Sequence, residues 1–239
     1  MKKNILLLLI LFCFSILLAQ NNKTVTCVYK VYTPFDLKKT EVSNVSESIA
    51  KTKPLSFVLA ICNNTSKFSL IDNMELDDVD MLSLRFRKIL SFDGKYIETS
   101  LNDDEIFERN ESLGANLAIK TKISDYKWNI TTESKMIDNY YCLKATCQIK
   151  GRGRGGAVID KEITAYFCPA LNYQFGPREF CGLPGLILEV VVDNSVIGIE
   201  SISFNNLSSK DACVQEDRKN LNIFNSYIDY SMQVHGKGE

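Results

Sequence analysis

Residues 182–192 read Gly-Leu-Pro-Gly-Leu-Ile-Leu-Glu-Val-Val-Val, a stiff turn running directly into a β-branched stretch. Pro184 fixes φ and Gly185 tolerates φ > 0, so Leu183–Leu186 suits a type II turn. Leu186–Val192 carries one charge, Glu189. That pattern predicts a strand covered on both faces or nearly so. Asp193, Asn194 and Ser195 supply turn chemistry, and Val196–Phe204 reads as the returning hairpin partner. The run holds no nucleophile, acid–base group or metal ligand. It reads first as a folding device, and second as a loop on a rigid scaffold that forms a binding lip.

The N-terminus reads as an export signal. Lys2 and Lys3 precede an apolar stretch, Ile5–Leu18, and Ala19 before Gln20 suits cleavage. This divides the chain into a signal over 1–19 and one β-rich domain over 20–239, with a frayed tail. The apolar stretch is too short and wrongly flanked for a membrane span, and no later stretch is long enough. Cys13 follows Phe12 inside the apolar stretch, which does not suit a lipidated cysteine. Removing Lys2 and Lys3 from 28 basic residues leaves 26 against 29 acidic ones. That balance argues against nucleic acid or an anionic membrane as the main partner. The basic cluster Lys150, Arg152 and Arg154 lies between two strand patterns and reads as a solvated turn.

Export makes seven mature cysteines interpretable: Cys27, Cys62, Cys142, Cys147, Cys168, Cys181 and Cys213. Thiols outside the cytoplasm tend to pair, and an odd number leaves at least one over. There is no C-x-x-C and the chain has one histidine, so the pattern does not suggest a zinc site or another metal centre.

Period-two alternation predicts strands over Thr24–Val31, Leu55–Ile61, Ser66–Leu70 and Tyr96–Thr99. Val79, Leu82, Phe86 and Ile89 recur at helical spacing, predicting a helix over 78–90. Asn102–Ser112 reads as a loop or short helix. Ala212, Leu221, Phe224, Ile228 and Met232 suggest a C-terminal amphipathic helix. Tyr126, Trp128 and Ile130 alternate with polar residues. Tyr141, Leu143, Ala145, Cys147 and Ile149 share one face of a further strand, and Ile163, Ala165 and Phe167 one face of its return. A hairpin centred near Gly155 puts Cys142 opposite Cys168 on the less apolar face, within disulfide reach. The whole predicts a mainly β domain with peripheral helices, built on a curved antiparallel sheet, bowl or half-barrel.

These blocks resemble the GLPGLI family, exported proteins typical of Bacteroidetes. Gly182, Leu183, Pro184, Gly185, Leu186 and Ile187 match its name motif, and Gly176-Pro177 its G-P pair. Ser66-Lys67-Phe68, Trp128-Asn129-Ile130, Lys135-Met136-Ile137, Tyr141–Thr146, Gly153-Arg154 and Ala165–Pro169 resemble its remaining blocks, in order. Tyr166 stands where the family usually has Trp, and Cys168 where it usually has Thr. An insertion follows near Ala157–Asp160. The resemblance brings no catalytic residues. It extends to the bowl-like N-terminal domain of a bacterial peptide:N-glycanase type, which implies an accessory β-bowl and not a deglycosylating activity.

Three functions follow as expectations. The first is a non-catalytic envelope module, periplasmic, outer-membrane-associated or secreted, that binds an apolar or glycan ligand or docks on a partner. Tyr126, Trp128, Tyr141 and Tyr166 are its candidate binding aromatics, with core filling as their other role. The second is an accessory subunit of an outer-membrane transport system. The third is a hydrolase; His235, the one histidine, lies in the tail, leaving only acidic runs such as Asp103-Asp104-Glu105 and Asp77-Asp78. No cofactor is implied.

Overall fold

A computed structural model describes residues 24–32, 54–71, 88, 92, 95–109, 117–152, 158–192, 195–205, 218–219, 221–226 and 229–230. The export signal and the helix expected over 78–90, save Lys88, lie outside these residues.

Twelve strands form the frame. They are β1 (Thr24–Tyr32), β2 (Leu55–Cys62), β3 (Thr65–Leu70), β4 (Tyr96–Ser100), β5 (Glu105–Arg109), β6 (Leu117–Thr121), β7 (Asn129–Ile137), β8 (Tyr140–Arg152), β9 (Val158–Cys168), β10 (Leu186–Val192), β11 (Ser195–Asn205) and β12 (Asn222–Phe224). They build one open sheet in the order β12-β6-β5-β4-β3-β2-β1-β11-β10-β9-β8-β7. Neighbours are antiparallel except β12, which runs parallel to β6. Among these strands, every antiparallel contact but one joins strands consecutive in sequence. The exception is β1 with β11, which joins the chain's two halves at the centre.

Alternation explains the core. In β1, Val25, Cys27, Tyr29 and Val31 point inward; across the ladder they meet Ile61, Leu59, Phe57 and Leu55 of β2. The same face carries Phe68, Ile97 and Ile106 at one end and Ile163, Ala165, Phe167 and Ala145 at the other, all within one continuous core. A sheet this wide reaches one core only by curving, which fits the expected bowl. Phe57 and Phe68 stack at its floor, with ring centroids 5.2 Å apart.

Three expectations change. Glu105–Arg109 is a strand rather than a loop or helix, and β6 follows it. Part of the expected C-terminal helix is β12, where the free edge of β6 supplies backbone partners for Asn222–Phe224. The third concerns the turn before β10. Cys142 and Cys168 lie on the expected, less apolar face of β8 and β9, with Lys144 and Tyr166, and are buried there.

Candidate functional site

The turn is not type II. The Gly185 N–H donates to the Leu183 carbonyl at 2.8 Å, closing a three-residue turn around Pro184, while the Leu186 N–H donates to Leu171 at 2.9 Å. Gly185 is required for space. A Cβ there would lie 2.3 Å from the Cys168 carbonyl oxygen and 2.7 Å from its carbon. Gly182 is the residue that needs a left-handed conformation, at φ +86°. Gly176 is also required for space: its Cβ would lie 2.7 Å from Ile187 Cβ and from the Phe180 carbonyl oxygen.

Residues 169–187 thus form a plug held by its own backbone. Gly182 N–H donates to Gln174 at 2.9 Å and Ile187 N–H to Phe175 at 3.0 Å. Phe175, Phe180, Cys181 and Leu183 enter the core shared by the sheet, each no more than 2% exposed. The Tyr29 hydroxyl donates to the Ile187 carbonyl at 2.7 Å, just before a bulge between Ile187 and Glu189 in the β9–β10 pairing. Burial pushes the Tyr29 phenol well above its ordinary pKa, helped by Cys27 beside it.

The four candidate aromatics do not make one platform. Tyr126 and Trp128 stack at 6.2 Å, and Tyr126 meets Phe180 edge-on at 6.1 Å. The Trp128 indole N–H donates to the Cys181 carbonyl at 2.8 Å, so this pair clasps the plug from outside. Tyr166 is capped by the Lys135 ammonium, 3.9 Å from its ring centre, and Lys135 pairs with Glu189 at 2.6 Å. Tyr141 is open, 57% exposed, and directly opposite Met136, which is 60% exposed. This pair sits at the β7–β8 edge, with Ile130 also exposed farther along β7.

Further up β7 the edge is blunted. Its register shifts between Ile130 and Ser134, where the Thr131 hydroxyl donates to the Lys144 carbonyl at 3.2 Å and accepts from the Glu133 N–H at 3.2 Å. Such a bulge interrupts strand addition there.

The ion-pair cluster around Arg218 was not read from sequence. Glu98 and Glu105 are nearly buried on adjacent strands, and both accept hydrogen bonds from Arg218, to Glu98 at 3.1 Å. The Arg218 guanidinium lies 3.9 Å from the Phe107 ring centre, and Lys120 also pairs with Glu105. Burial works against the Glu105 carboxylate, but bonds from Lys120 and Arg218 outweigh it and hold its pKa below the usual value. These carboxylates are fastened to cations, an arrangement that locks the C-terminal segment onto β4 and β5. Of the acidic runs singled out in the sequence, Asp77-Asp78 lies outside the described residues. Asp104 accepts from the Ser124 hydroxyl at 2.5 Å and backbone N–H at 2.8 Å, which lowers its pKa.

Five of the six described cysteines, Cys27, Cys142, Cys147, Cys168 and Cys181, are free and buried. Burial pushes the Cys27, Cys142 and Cys181 thiols up to about 12, so they are protonated at neutral pH and are not nucleophiles as they stand. Cys213 and His235 lie outside the described residues. Among those residues no group of three or more His, Cys, Asp or Glu could hold a metal ion. No helix there is long and apolar enough to cross a membrane.

A family model described as "Protein of unknown function (Porph_ging)" matches residues 155–189, from the β8–β9 tip through the plug into β10. No curated protein matches. The fold is similar to PNGF-II in its C2 crystal form, with TM-score 0.50 and 15% identity over 89% of this chain and 33% of that one. The P21 form of PNGF-II gives TM-score 0.49 and 14% identity over 85% and 32%. An uncharacterised conserved protein from Thermus thermophilus gives 0.36 and 8% over 87% and 93%. The chain therefore spans about a third of the PNGF-II chain it matches. It is similar over 155–189 to a family of unknown function and, over most of its length, to part of a larger protein's fold.

Proposed function

We propose that this chain is a non-catalytic, exported β module of the cell envelope, of GLPGLI type, that works by docking on a protein partner. The carrying observation is the division of its apolar surface. The inner face of the bowl is occupied by the chain's own plug, with Phe175, Phe180 and Leu183 at 1% exposure. The two most exposed large apolar side chains among the described residues, Met136 and Tyr141, stand side by side at the β7–β8 edge. Aromatic and methionine side chains are enriched in the cores of protein interfaces. The similarity to about a third of the PNGF-II chain supports the word module, since there the fold occurs joined to further polypeptide. An accessory subunit of an outer-membrane assembly is the same reading with the partner specified.

The test is site-specific photo-crosslinking in the native host, with the probe placed at Tyr141 and, as control, at Ile223 on the opposite edge of the sheet. A discrete protein adduct from position 141 and none from 223 is expected. No adduct from 141, with the protein folded and exported, overturns the docking reading.

A further inference from the structure

The β8–β9 register pairs Leu143 with Phe167. Continued by one step, it sets Cys142 directly opposite Cys168, both within their strands. The row extends outward on either side: Lys135 pairs with Cys142, and Cys168 with Leu186. Facing residues in an antiparallel ladder have Cα atoms about 4.5–5.5 Å apart, inside the range a disulfide spans. Both side chains are buried, Cys142 at 0% and Cys168 at 1% exposure. Cys168 is also the footing of the plug. Its carbonyl accepts from the Leu171 N–H at 3.1 Å, and Gly185 packs against the same carbonyl.

We propose that Cys142 and Cys168 form a cross-strand redox pair whose closure into a disulfide fixes the base of the Gly182–Ile187 turn. The thiolate of one cysteine attacks a disulfide oxidant such as oxidised glutathione, forming a mixed disulfide and releasing one glutathione thiolate. The second cysteine's thiolate attacks the protein sulfur of that intermediate and releases the second glutathione. The pair loses two electrons and two protons, and the oxidant becomes two thiols. The Cys142 thiol is disfavoured as a thiolate once folded, by burial first and by Cys168 beside it second. Closure therefore belongs to folding, before the core shuts. This inference does not rest on the docking reading.

The test refolds reduced full-length chain in a glutathione redox buffer and, separately, in excess reductant. Each product is alkylated in denaturant, digested and mapped, and the melting temperatures are compared. A linked Cys142–Cys168 peptide is expected after oxidative refolding, with a higher melting temperature that the double variant C142A/C168A does not show. Alkylation of both cysteines after oxidative refolding, or linkage of either to a different cysteine, overturns the proposal. The peptide map decides the question even if the double variant fails to fold.

Discussion

The Tyr29 hydroxyl on β1 reaches the backbone carbonyl of Ile187 across 158 positions of sequence, at 2.7 Å. β1 is the strand through which the two halves of the sheet meet, and Ile187 ends the plug. One buried hydrogen bond therefore ties the central strand to the most distinctive segment of the chain. Ile187 lies outside the β10–β11 register, which starts at Glu189 and Gly198.

Tyr29→Phe keeps the ring and its 6.4 Å edge contact with Phe68 but strands the Ile187 carbonyl in the core. An unsatisfied buried acceptor costs about 1–3 kcal/mol. Urea denaturation should show a loss in that range with an unchanged slope. A loss below roughly 0.5 kcal/mol would mean that water or another donor replaces the hydroxyl.

The three glycines at 176, 185 and 198 should respond in opposite senses to alanine. At 185 the new Cβ meets backbone at 2.3 Å, and at 176 it meets backbone and Ile187 at 2.7 Å. Both substitutions should destabilise by about 2 kcal/mol or more, since the neighbours are not flexible side-chain ends. At 198, in β11, nothing lies within 4 Å. Gly198→Ala should leave stability unchanged or raise it by about 0.5 kcal/mol through lower backbone entropy of the unfolded chain. Thermal melts of the three variants side by side decide whether close packing is what the motif glycines provide.

Arg218 holds two nearly buried carboxylates, and Arg218→Met would take a cation from both Glu98 and Glu105. The arginine side chain is 28% exposed, so screening reduces the loss to about 2 kcal/mol, below that of a fully buried pair. Acid dependence gives a second readout. Glu105 has a folded pKa below its ordinary 4.5. Its contribution is therefore complete above about that pH and is lost as pH falls through the lower folded value. Glu105→Gln should be less stable than wild type at pH 7 and lose less on acidification below 4.5. An identical pH profile would show that Glu105 carries no such linkage.

The buried thiols predict protection. With burial holding Cys27 and Cys181 at about 12, native protein at pH 8 should react with an aromatic disulfide reagent at these two positions far more slowly than denatured protein. Labelling followed by peptide mapping reads each site. Fast native labelling of Cys27 would contradict the closed core around β1.

Much of this arrangement was legible in local pattern. Leu186–Val192 is β10 residue for residue, and β1 runs one residue past the expected Val31. The hairpin centre near Gly155 follows from the long alternating runs on either side, and the observed Leu143–Phe167 pairing has that centre. What failed to show locally depends on distant partners. β5 reads Glu-Ile-Phe-Glu-Arg, too charged for a buried strand until Arg218 and Lys120 neutralise Glu105. β12 is three residues long and takes its conformation from the edge of β6. The plug looked like a turn because Pro and Gly dominate it, whereas its geometry is set by Cys168, Leu171 and Phe175. Trp128 and Tyr126 carry the composition of a binding surface, and only the Cys181 carbonyl and Phe180 reveal them as a clasp.

Native mass spectrometry of the full-length product, gently purified from its own host's envelope, tests the docking reading most directly. It is run on wild type and on a Met136→Asp/Tyr141→Asp variant shown to melt at the wild-type temperature. The account predicts a discrete protein–protein complex that the variant loses. A wild-type protein recovered bare, or carrying a small-molecule adduct that the variant retains, would contradict it.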